Sequence, residues 1–166
     1  MPRTKNKNKN ILPIIIRDTR EQYGYQFDTI NPRPIVLDKA LKTGDYSIKG
    51  LETEITIERK SLPDAYGTFG KGRHRFEHEL QRMTEMNFAA VIIEADWFTI
   101  LRNPPQQSQM NPKAVYASII AWAQRYDVPF FTCPNRAFAE KTTFRLLERY
   151  WNDKEKRKNS VEKRIN

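Results

Sequence analysis

The chain has 166 residues, 39% of them apolar, one cysteine and a formal charge of +9. This is enough for one domain with a proper core and excludes a disulfide framework; with no run of membrane-span length and no apolar signal region, an intracellular protein is expected. The charge predicts a polyanionic partner but is uneven: residues 1–10 carry four bases and no acid, residues 153–166 six bases and three acids, and the body between holds only +2. Both ends are expected to be disordered charged arms flanking a domain at 11–152, attracting phosphates in a salt-sensitive way.

In chain order, a buried strand is expected from Ile14, behind Pro13, ending in the charged exit Arg17-Asp18-Thr19-Arg20-Glu21. Tyr23 to Pro34 reads as loop and Ile35–Leu37 as a short strand. The stretch Thr43–Asp64 then reads as a β-hairpin. Ile55, Ile57 and Arg59 alternate with Glu54, Thr56, Glu58 and Lys60. With a loop at 50–53, Ile48 faces Ile55, Tyr46 faces Ile57 and Asp45 faces Glu58; a slip of one residue would pair apolar with polar throughout. Carboxylates on opposed positions, with Cβ atoms about 4.5–5.5 Å apart, repel. The pattern therefore asks for a cation, either Lys60 or a hard divalent ion such as Mg²⁺ or Mn²⁺.

Ser61 is placed to cap a helix, with Pro63 early in its first turn and Asp64 at the capping-box position, where it can also support the acidic site. Gly67 to Arg73 is a Gly-spaced loop carrying Lys71. A helix is expected from His74 to Met86, with Phe76, Leu80 and Met83 on its apolar stripe and Arg75, Glu79 and Arg82 elsewhere. His74 and His78 lack a third zinc ligand and read as phosphate contacts or plain surface. A strand at Ala89–Glu94, helices at Trp97–Arg102 and Pro112–Tyr126, a strand at Val128–Cys133 and a last helix capped by Asn135 complete an α/β fold, a central mixed sheet flanked by helices.

Gly44-Asp45-Tyr46 together with Glu58-Arg59-Lys60-Ser61-Leu62-Pro63-Asp64 resembles the GDX(n)ERKX(3)D signature of the XPF-type structure-specific endonucleases. That signature lies within the D…(D/E)-x-K pattern of restriction-endonuclease-like nucleases. The resemblance, over about residues 12–152, implies a restriction-endonuclease-like core and a Mg²⁺-dependent DNA endonuclease of repair or recombination, with Mn²⁺ as a substitute and branched DNA as substrate. It implies Asp45, Glu58 and the Arg59 backbone carbonyl as metal ligands, and Lys60 as a catalytic cation. Asp18 and Glu21 become accessory acids, with Arg20, Arg59 and Asp64 in support. Lys71, Arg73, Arg75 and Arg82 become DNA contacts, Arg73 and Arg75 being alternative matches to one family arginine. A homodimer is a further expectation, and the chain offers too few residues for a helix-hairpin-helix tail. The rival readings are a non-catalytic DNA-binding scaffold and a nuclease without structure selectivity.

Overall fold

A computed structural model describes residues 11–165; the basic segment 1–10, expected as an arm, lies outside the described residues. Four strands come first: β1 (Ile15–Arg17), β2 (Val36–Asp38), β3 (Tyr46–Ile48) and β4 (Ile55–Lys60). Helices α1 (Leu62–Phe69) and α2 (Arg73–Met83) lead to β5 (Phe88–Ile93), and α3 (Trp97–Arg102) and α4 (Pro112–Tyr126) lead to β6 (Phe130–Thr132). The long helix α5 (Arg136–Ile165) closes the order.

The strands form one six-stranded mixed sheet in the order β2-β1-β3-β4-β5-β6. β3 runs antiparallel to both β1 and β4, while β4, β5 and β6 are parallel. Parallel neighbours need crossover connections, which α1–α2 and α3–α4 supply. Along β5, Ala89, Val91 and Ile93 enter a core with α1, α2 and α4, whereas Ala90 and Ile92 enter a second core with β3, β4 and α5. Burial on both faces explains why this strand reads as an unbroken apolar run.

The first core centres on Trp122, whose ring stacks on Phe69 at 4.9 Å. The second centres on Tyr25, Phe27 and Tyr46, with Tyr25 stacked on Tyr46 at 5.2 Å. Between them the sheet carries the hairpin's polar face toward α1 and α2 and its apolar face toward α5.

Several element ends shift by one to three residues, and two segments differ in kind from the sequence reading. Helix α1 takes in Gly67 to Phe69 and shortens the glycine loop to residues 70–72, because Ala65, Tyr66 and Phe69 form a buried stripe behind a Ser61 cap. Residues 153–165, expected to be a disordered tail, continue α5 instead. The extra turns are tied down by Arg149 Nε to Asp153 Oδ2 at 2.9 Å and by an ion pair from Lys154 to Glu54 on the hairpin. Composition registered the charge there but not these i,i+4 and tertiary partners.

Candidate active site

The hairpin takes the register its alternation demands, with Tyr46 opposite Ile57. Asp45, the residue before Tyr46, is pinned on both sides by its backbone. Its N–H donates to Ile57 O at 2.9 Å, and its C=O accepts from Asp18 N at 2.8 Å. The residue before it has to be glycine: Gly44 has φ +72°, and a Cβ there would lie 2.0 Å from Thr56 Oγ1. That hydroxyl is held in place by donating to Thr43 O at 2.8 Å.

Glu58 is 5% exposed and is ion-paired to Lys60, whose Nζ lies 4.6 Å from the Phe76 ring centroid. Asp45 Oδ2 accepts the Arg59 backbone N–H at 2.8 Å. Burial pushes the Asp45 carboxyl up to about 7, reinforced by the charges of Glu21 and Glu79 and opposed by the Arg59 hydrogen bond and Lys60. Burial, then the charge of Asp45, holds Glu58 well above the ordinary carboxylate range, with Lys60 opposing. For Lys60 itself, burial acts downward but Glu58, joined by the charges of Glu79 and Asp45, more than offsets it, so its pKa is raised and it stays protonated.

The donor chemistry here fits a hard divalent cation: two carboxylates under mutual repulsion, and oxygen throughout. Successive residues of a strand turn their peptide groups to opposite edges. Lys60 O accepts from Glu94 N on the β5 side and Arg59 N donates toward Asp45, so the Arg59 carbonyl faces the Asp45 side as well. Asp45, Glu58 and that carbonyl would hold the ion. Among the described residues no group of three or more His, Cys, Asp or Glu side chains stands ready for a metal, so the carbonyl and water would have to complete the shell.

These groups lie in a 430 Å³ pocket whose wall includes Arg20, Glu21, Asp64 and Arg75. Asp18, expected among the acids of the site, is not free to join them. It is 2% exposed; Oδ1 accepts from Arg20 N and Nε, both at 2.8 Å, and Oδ2 from Leu41 N at 2.6 Å. Burial alone would raise this carboxyl, but the bonds from Arg20 and Leu41 reverse the effect and hold it below its usual value. Asp18 is thus a clamp between the β1 exit and the 38–45 loop, and Arg20 reaches the rim of the pocket while gripping it.

Glu21 does face the cup, yet Arg59 Nη1 engages its Oε1 at 3.1 Å. Arg59 lies on the opposite hairpin face from Lys60. Its Nε and Nη2 grip Glu94 at 2.7 and 3.1 Å, and Tyr25 OH and Arg136 Nη1 also donate to Glu94 at 2.8 and 3.0 Å. Asp64 supports the Ser61 cap of α1, its N–H donating to Ser61 Oγ at 3.2 Å and its Oδ2 accepting from that hydroxyl at 2.6 Å, while lining the pocket. Both roles expected of it are compatible with this position.

Of the four basic residues expected to meet DNA, only Arg75 lines the cup. Arg73 turns to α4, its guanidinium 4.6 Å from the Trp122 ring centroid and bonded to Ser118 Oγ at 2.8 Å. Lys71 lines a neighbouring groove, and Arg82 lies in the last turn of α2. His74 and His78 stand exposed with Nε2 atoms 3.2 Å apart. Two residues escaped the sequence reading. Glu79, on α2 one turn beyond Arg75, accepts from Gly44 N at 3.4 Å and its charge acts on both cup carboxylates. Glu94 ends the apolar run of β5, a buried strand closing on an acid, and that was the available signal.

A mixed sheet of this order, with its acidic hairpin at the centre, defines a restriction-endonuclease-like fold. The family model for the ERCC4 domain matches residues 17–146, and the chain belongs to that family. Among solved structures, XPF from Aeropyrum pernix superposes with a TM-score of 0.62 at 21% identity, over 91% of this chain and 69% of that one. XPF from Aeropyrum pernix in complex with DNA superposes with a TM-score of 0.64 at 20% identity, over 85% of this chain and 66% of that one. This chain therefore spans about two thirds of the length of those structures. No curated protein sequence matches it.

Proposed function

We propose that this domain is a divalent-metal-dependent DNA endonuclease that hydrolyses phosphodiester bonds, with Mg²⁺ as the ion, Mn²⁺ as a substitute and branched DNA as substrate. The observation that carries the reading is the convergence of Asp45 and Glu58 in one pocket, close enough for the charge of Asp45 to act on Glu58, with Lys60 beside them and Arg75 on the pocket wall. Membership of the ERCC4 domain family and the likeness to an XPF structure that holds DNA support it.

When bound, the ion supplies Lewis acidity, which polarises a phosphodiester and acidifies water. Asp45 and Glu58 hold it at the floor of the pocket. Lys60, kept protonated by its surroundings, orients the nucleophile and offsets the negative charge that develops on phosphorus oxygens. Arg75 holds the phosphate at the rim. Arg59 acts through its backbone: Glu21 and Glu94 fix its side chain on the far face, which holds its N–H against Asp45.

The test is cleavage of labelled duplex, flap, fork and four-way junction DNAs with Mg²⁺, Mn²⁺ or chelator. Wild type is expected to cut branched substrates only with metal, and Glu58→Ala and Lys60→Ala to cut none. Mg²⁺-dependent cutting retained by purified Glu58→Ala overturns the assignment.

A further inference from the structure

A second cavity adjoins the cup. It is a groove of about 880 Å³ between α1 and the loop at 105–110. Pro63 and Gly67 line both the groove and the cup, so the two cavities meet across α1. Gly67 lies inside a helix, where glycine is less favourable than alanine, and neither close packing nor a positive φ requires it there. A Cβ there would meet no atom within 4 Å, so the stretch of helix surface shared by the two cavities is open at this position.

The groove's chemistry is specific in kind. Pro105 and Met110 supply apolar surface over the buried Tyr66, Gln106, Gln107 and Gln109 supply amides, and Lys71 is the charged residue of the wall, which includes no acid. Amides donate and accept, so they can meet any base edge; apolar Pro105 and Met110 can cover a base face; a lysine suits a phosphate. The volume is of the size that takes one small ligand.

We infer that this groove holds an unpaired nucleotide of the DNA strand whose neighbouring phosphate lies in the cup, a reading that rests on the nuclease function proposed above. A base seated there turns its edge to Gln106, Gln107 and Gln109 in place of a complementary base. The domain thereby selects a strand that is already unpaired beside the bond to be cut.

The test is made first in chelator, where no chemistry occurs. Binding of a short labelled oligothymidylate and of a blunt duplex is compared for the wild type and for the double variant Gln107→Glu, Gln109→Glu, both on exposed loop positions. The variant is expected to lose about tenfold in affinity for the single strand and less than about twofold for the duplex. An abasic site moved along the unpaired arm of a flap should weaken wild-type binding only at the nucleotide adjoining the cut position. Equal losses on both DNAs, loss on neither, or a flat abasic profile overturns the inference. Cleavage with Mg²⁺ separates the two readings: groove-dependent binding without cutting sinks the nuclease function alone, and cutting that ignores the groove variant sinks the groove alone.

Discussion

Asp45→Asn is expected to make the metal-free protein more stable in alkaline solution while abolishing cleavage. The substitution keeps the shape of the side chain and an oxygen to accept the Arg59 N–H, but removes the charge. Asp45 titrates at about 7 in the fold against an ordinary value of 3.8, so between those values the folded chain binds more protons than the unfolded one. Stability contributed by this site therefore falls as pH rises through that window and levels off above it. A difference of about three pH units at ~1.4 kcal/mol each sets a ceiling of about 4 kcal/mol. Asp45 keeps part of its surface in solvent, and screening there reduces it to about 2 kcal/mol. For a domain of this size that is roughly 4–8 °C in Tm.

Thermal melts in chelator across about pH 4 to 8 read the effect directly. The gap between variant and wild type should open through the window and reach its full value near pH 8, and Mg²⁺ should raise the wild-type Tm at that pH but not the variant's. A gap that does not depend on pH, or a variant less stable at pH 8, would refute the electrostatic argument.

Three further outcomes are expected. Gly44→Ala should lower stability by about 1–3 kcal/mol in urea titrations, and Thr56→Ala, which removes the obstructing hydroxyl, should recover part of the loss; an unchanged midpoint contradicts the close approach. Arg75→Ala should reduce DNA affinity and the salt slope of binding by about 1, whereas Arg73→Ala should leave the slope alone and cost about 0.5–2 kcal/mol of stability through Trp122; the reverse pattern would exchange their roles. Glu94→Gln leaves the buried Arg59 guanidinium without its main partner and should cost about 3 kcal/mol by denaturant midpoint, with a fall in cleavage; a midpoint within error of wild type would mean that Glu21 and water suffice.

The hairpin was legible because a period of two leaves one register that keeps Ile48, Ile55 and Ile57 on one face, and the position of Asp45 follows from it. Asp18 was expected among the acids of the site on resemblance alone, not on periodicity. A charged strand exit looks alike whether its acid faces a metal or clamps a loop, and the partner that decides, Leu41 N–H, is 23 residues away. Arg73 and Arg75 could have been told apart by helical phase, since 73, 76 and 80 share the face that packs on the core. The same phase joins Arg75 to Glu79. Glu94 needed the parallel pairing of β4 with β5, which sets Lys60 beside Ile93 and brings the following acid next to Arg59. The helical continuation beyond residue 152 depended on Glu54, a hairpin residue 100 positions upstream of Lys154.

The pairing of Lys60 with Glu58 makes the cup a site with a tethered occupant. The ammonium group is held there by its own four-carbon arm, at a local concentration no free ion in a cell can match. For a divalent ion to be held by Asp45 and Glu58, Lys60 would have to give up this pairing, so uptake would be an exchange of cations rather than the filling of an empty anionic hole. A lysine released in that way would stay attached to the same pocket, beside the proposed phosphate position.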